Sequence, residues 1–138
     1  MTEIIDFGAF SMRFLYDKYE TGGSFDMFEM TVPPGQRMPL PHYHENWDET
    51  VYAVSGTVTF TVAGQPHELQ PGSALLIPRG VVHGFDNRGG TVATCLCVLT
   101  PGVLGSEYFR ELAALISTGQ PDPAKVREIM LRHGLVPG

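Results

Sequence analysis

Lysine is scarce in this chain, cysteine occurs only as a single close pair, and no long apolar run exists anywhere in its 138 residues. Lys18 and Lys125 are the only lysines among nine cations, set against 15 acids, for a formal charge of −6. A field of that sign repels polyanions, and no basic run is present to hold a phosphate backbone or an anionic lipid surface. Neither nucleic acid nor membrane is therefore expected as a partner. Nowhere do about 18 apolar residues run together, the length a membrane-spanning helix needs. The opening Met1 to Asp6 also lacks a basic stretch followed by an apolar one, so the expectation is a cytoplasmic protein without processing. Cys95 and Cys97 lie two apart in a strand-like stretch, where Cα atoms are about 6.5 Å apart, at the upper end of disulfide reach. They are read as buried thiols of a reducing compartment.

What the chain has instead is punctuation: 16 glycines and 11 prolines spread among aromatic and β-branched residues. Turn-formers at short intervals cut a chain into strands, and 43% hydrophobic residues suffice to bury the core of one domain. Phe28, Met30 and Val32 alternate in Phe25 to Val32, which Pro33-Pro34-Gly35 stops. Val58, Phe60 and Val62 alternate with Thr57, Thr59 and Thr61, so the threonines are expected to face solvent. Further strands are expected over Ile4 to Phe7, Ser11 to Tyr16, His67 to Leu69, Ala74 to Ile77 and Val92 to Thr100. Eight or so short strands at this spacing predict an all-β sandwich or barrel.

The pattern changes after Pro101. Tyr108, Phe109, Leu112, Leu115 and Ile116 recur at helical spacing with Ser106 as N-cap, and a second helix runs from the cap Asp122 and Pro123 to Gly134. The two form a helical hairpin whose apolar faces need cover from the β domain or from a partner chain.

Three of five histidines fall in two short segments. In extended chain, residues i and i+2 share a face, so His42 and His44 direct both imidazoles to one point, and His83 follows a second turn, Pro78-Arg79-Gly80. Imidazoles suit zinc, copper, iron and nickel, and an added carboxylate with vacant positions suits an ion that also holds substrate or dioxygen. Glu45, Asp48 and Glu49 all follow closely. Strict alternation from His44 would aim Asp48 at the metal, whereas a bend would aim Glu49, and spacing alone leaves the choice open. His67 and His133 are read as structural, as is Asn87, a turn residue bonding its own backbone. Tyr43, out of phase with the histidines, should point away. Trp47 either lines a pocket mouth or fills core, and Met38, Phe60, Phe85 and Leu99 are candidates to line a cavity.

The spacing G-x6-H-x-H-x4-E-x6-G from Gly35 through His42, His44 and Glu49 to Gly56 resembles the first motif of the cupin superfamily, with one extra residue between Gly35 and His42. Gly72-x5-Pro78-x-Gly80-x2-His83-x3-Asn87 resembles the second at every defined position. The resemblance implies an antiparallel jelly-roll barrel over residues 1–102, with the helical tail 103–138 packed on it. It further implies His42, His44, Glu49 and His83 as ligands of one divalent transition metal per chain (iron, manganese, nickel or cobalt, with zinc possible), and so favours Glu49 over Asp48. The tail is similar to those of single-domain cupins grouped with quercetin 2,3-dioxygenases. The resulting expectation is a metal-dependent dioxygenase for a small, partly apolar substrate such as a flavonol, diketone or catechol, with Glu49 also a candidate catalytic base. The rival expectations are a redox-neutral isomerase, lyase or decarboxylase on the same metal, and a non-catalytic binding module. The N-terminal strands, left as an open edge, further suggest a homodimer.

Overall fold

The computed structural model describes residues 2–38 and 40–138. Among the described residues eleven strands form two antiparallel sheets that face one another across a shared core. The first sheet contains β1 (Glu3–Asp6), β2 (Ser11–Tyr16), β3 (Asp26–Val32), β5 (Asp48–Ser55), β8 (Ala74–Ile77) and β10 (Ala93–Thr100), in the order β1-β2-β3-β10-β5-β8. The second contains β4 (His42–His44), β6 (Val58–Val62), β7 (Gln65–Leu69), β9 (His83–Asp86) and β11 (Leu135–Pro137), in the order β11-β4-β9-β6-β7. This is the all-β sandwich or barrel expected from the turn spacing, in the jelly-roll form that the resemblance implies, followed by helices α1 (Glu107–Ile116) and α2 (Pro123–Arg132).

Alternation builds the core. Along β3 the side chains of Asp26, Phe28, Met30 and Val32 point inward, and along β10 so do those of Ala93, Cys95, Cys97 and Leu99. Period-2 patterning places every second side chain on one face, so these two central strands supply a continuous inner wall. The crossing from β5 to β6 runs through Gly56, at φ +67, where an added Cβ would lie 2.3 Å from the Val92 carbonyl oxygen. Only glycine fits that approach.

Three expectations need correction. Thr59 is buried, not solvent-facing, because β6 is an inner strand and Thr59 lies between Glu68 of β7 and Asp86 of β9. Ser106 stands at the N-cap of α1 but makes no capping bond. Its hydroxyl donates instead to Asp17 Oδ2 at 3.3 Å and accepts from Arg110 at 2.8 Å. Asp122 does cap α2, accepting from the Ala124 amide at 2.9 Å. The tail 103–138 is also not helical throughout: after α2, β11 pairs with β4, the strand that carries His42 and His44. The hairpin covers the barrel, burying Tyr108, Leu112, Ile129 and Met130, and Arg110 ties α1 to Glu3 of β1 at 2.7 Å.

Candidate metal centre

Two strands of the second sheet and one of the first bring His42, His44, His83 and Glu49 together. His42 and His83 are direct cross-strand partners on β4 and β9, His44 is two residues further along β4, and Glu49 faces them from β5. Strand β4 takes its place because β11 pairs with its other edge and because the Gly80 amide donates to the His44 carbonyl at 2.8 Å.

The alternation argument that favoured Asp48 fails because the chain bends at Glu45 and Asn46, which resets the phase before β5 begins. Asp48 faces outward and accepts from the Arg79 amide at 2.9 Å and its guanidinium at 3.2 Å. That pairing holds its carboxyl below the usual range. Glu49 turns inward and is buried.

The imidazole nitrogens are oriented by their backbone partners. The His42 Nδ1–H donates to the Leu40 carbonyl at 3.1 Å and the His83 Nδ1–H to the Val81 carbonyl at 3.0 Å. Both rings therefore present a bare Nε2. The Nε2 atoms of His42 and His44 are 3.1 Å apart, and Glu49 Oε1 lies 3.8 Å from His83 Nε2 and 4.0 Å from His44 Nε2. One ligand atom from each of the three histidines lies within 4.8 Å of the others. Bonds of about 2.0–2.2 Å to one ion put two of its donors about 3–4 Å apart, so the spacings fit a shared cation.

The electrostatics agree. His42 is pushed down to about 3, mainly by burial and then by His83, and His44 to about 2 by burial, His42 and His83. Both imidazoles are thus neutral, the form that ligates. His83 Nε2 is buried without a hydrogen-bond partner among the described residues, an orphan that a cation would satisfy. Burial pushes the Glu49 carboxyl up, against the downward pull of His83 and of the Cys97 thiol hydrogen-bonded to it. Cys97 stays protonated through its contact with Cys95, at 4.0 Å between sulfurs, and through burial. The donor set, three imidazoles and one carboxylate, is that of a divalent transition metal.

The group sits at one wall of an apolar cavity offering about 80 Å³ to water centres. Met38, Phe60, Phe85 and Leu99, the four candidates from sequence, all line it. Trp47 does not: it fills core, stacked on His44 at 4.7 Å between ring centroids. Tyr43 is likewise outside the lining, His67 lies on β7, and His133 bonds Glu111 at 3.0 Å. Asn87 does accept from Gly89 in its own turn, but its amide also donates to the Val32 and Thr91 carbonyls, locking that turn to β3. Sequence reasoning missed the far wall, made by Phe7 and Phe10 of the N-terminal segment and by Tyr108, Phe109, Leu112, Met130 and Leu135 of the tail. The helical periodicity marked several of these as apolar-face residues without showing which surface that face covers.

Fold and site together define a jelly-roll barrel with a buried histidine group suited to a divalent metal. The cupin domain family matches residues 28–99, and the chain belongs to that family. It is 32% identical over 100 residues to quercetin 2,3-dioxygenase of Bacillus subtilis, covering 72% of this chain and 29% of that protein. It is 39% identical over 70 residues to protein SchB of Streptomyces halstedii, covering 51% of this chain and 50% of that one. The chain thus spans half or less of the length of these two relatives. Among solved structures, a predicted oxalate decarboxylase from Thermotoga maritima superposes with a TM-score of 0.66 at 25% identity, covering 73% of this chain and 92% of that one. A cupin sugar phosphate isomerase from Silicibacter pomeroyi gives 0.55 at 29% identity, covering 64% and 59%. The family match includes all four site residues and ends before α1. Among the described residues no helix is long and apolar enough to cross a membrane.

Proposed function

We propose that the chain is a mononuclear divalent-metal dioxygenase acting on a small, partly apolar organic molecule of the enol, diketone or catechol kind. The observation that carries this reading is the convergence of His42, His44, His83 and Glu49 on one wall of a cavity whose other side chains are almost all apolar. Those four residues would hold the ion, and when bound it supplies Lewis acidity and, if redox-active, electron exchange with dioxygen.

The protein's own groups do the rest. The apolar walls keep bulk water from the site and select a substrate with little exposed charge. Glu49, its proton affinity raised by burial, is placed to take the proton of an acidic enol or phenol, and the thiol of Cys97 favours its ionised form when the proton leaves again. The likeness to a sugar phosphate isomerase and a predicted oxalate decarboxylase favours a redox-neutral reaction, but no lysine or arginine lines this cavity among the described residues. A phosphorylated or dianionic substrate would lack a counter-charge there beyond the ion itself.

Elemental mass spectrometry on protein purified without chelators, followed by oxygen-uptake assays on flavonols, diketones and catechols, tests the reading. The expected result is about one iron, manganese, nickel or cobalt per chain and oxygen consumption matched to substrate loss. His83→Ala is expected to weaken metal retention at least tenfold and abolish uptake while the circular dichroism of the barrel persists, and His67→Ala to do neither. Turnover without oxygen uptake would instead establish the redox-neutral reaction, and ligand binding without turnover a binding module.

A further inference from the structure

Five polar side chains line the cavity. Four are His42, His44, Glu49 and His83, and the fifth is Tyr108, from helix α1 beyond the residues that the cupin family match covers. Every other lining side chain among the described residues is apolar. A substrate oxygen that does not sit at the histidine group therefore has one side-chain hydrogen-bond donor available to it in this cavity.

Tyr108 is only 2% exposed, and its hydroxyl has no hydrogen-bond partner among the described residues. Tyr108 lines the same cavity as the histidine group. Burial pushes its ionisation up, so it remains a donor through the neutral range. A buried hydroxyl without a partner costs stability that phenylalanine, of the same shape, would not. The ring itself is held by Phe109 at 5.0 Å and His133 at 5.4 Å between centroids, and Glu111 fixes His133 at 3.0 Å. The donor is thus positioned by the contact between α1 and α2 before any ligand enters.

We propose that the Tyr108 hydroxyl is the specificity-determining donor of this site, and that the substrate carries two oxygen functions on an apolar frame. One oxygen, acidic, goes to the His42, His44, Glu49 and His83 group. The other, an acceptor, takes the hydrogen bond from Tyr108. This inference rests on reading the histidine group as a metal centre for an organic ligand. A site built to satisfy one polar group discriminates against analogues that lack it, because the site's own donor is then left unpaired.

The test compares cobalt(II)-loaded wild type with Tyr108→Phe, which keeps the ring and removes only the hydroxyl. Dissociation constants are measured by calorimetry and by the visible spectrum of the bound cobalt for catechol, 2,3-dihydroxybenzaldehyde and 3,4-dihydroxybenzaldehyde, which share the chelating diol and differ in a neutral acceptor. At least one aldehyde is expected to bind the variant tenfold or more weakly, with catechol changed less than twofold and the ligand-free cobalt spectrum unchanged. If all three change by less than twofold, or all weaken alike, Tyr108 is a packing residue and the inference fails while the metal-centre reading stands. If wild type binds cobalt but none of the three ligands, the reading of the site and this inference fall together.

Discussion

Glu49 and Asp48 are adjacent carboxylates with opposite fates, and the cause is a bend of two residues. Each is placed by the phase of β5, so Asp48 pairs with Arg79 at the surface while Glu49 shares the interior with three imidazoles. Burial costs His42 and His44 their basicity, which gives a pH dependence of known sign. In the unfolded chain His42 and His44 bind protons below their ordinary value of 6.5, whereas in the folded chain they do so only near 3 and 2. The unfolded state therefore binds more protons between these limits, and stability falls as the medium is acidified. Glu49 works the other way above its ordinary 4.5, since its folded value is raised, so the histidines act without that opposition only below about 4.5. Chelated protein is expected to show a thermal midpoint that falls from about pH 6.5 downward, most steeply below about pH 4.5, with a shallower fall in His42→Gln/His44→Gln. A midpoint that is flat from pH 7 to 4 would contradict the burial of neutral imidazoles.

At the scale of elements, glycine turns and strand edges carry the site. Gly56, the last residue of the first motif, passes so close to Val92 that a side chain has nowhere to go. Gly56→Ala is expected to lose about 3 kcal/mol or more in denaturant melts, through both the left-handed backbone and the displaced β10 edge. Gly64, also at positive φ but with open space around it, makes the comparison: Gly64→Ala should cost markedly less. The His42-x-His44 spacing made β4 legible from sequence as extended chain, because its two imidazoles recur at strand period. Strand β11 was not legible. Leu135-Val136-Pro137 is too short for periodicity to register, and it becomes a strand only because β4 offers it an edge.

At the scale of the molecule, β1 ends one sheet as an open edge, with Ile4 72% exposed, and the outer face of the same sheet carries Tyr52, Val54 and Leu76. Tyr52 and Leu76 lie on adjacent paired strands, so their exposed side chains belong to one surface. Edges and apolar faces of this kind are ordinarily covered, and we propose a homodimer as the state that covers them. Light scattering is expected to give twice the 15.1 kDa chain mass, and Tyr52→Lys/Leu76→Lys to shift it toward one. A monomer for the wild type across working concentrations would exclude this.

Local rules, turn chemistry, strand alternation and helix capping, were enough to determine from sequence an all-β barrel with two C-terminal helices and a histidine-rich centre. They act over a few residues, and the information they need lies in those residues. Tertiary structure alone decided that Glu49 rather than Asp48 faces the histidines on the residues' own evidence. It alone also showed that the tail returns a strand to β4, and that Tyr108 borders the same cavity as His83. Each of these depends on which surfaces meet across the barrel, and that is settled by burial summed over the whole core, which no stretch of a few residues contains.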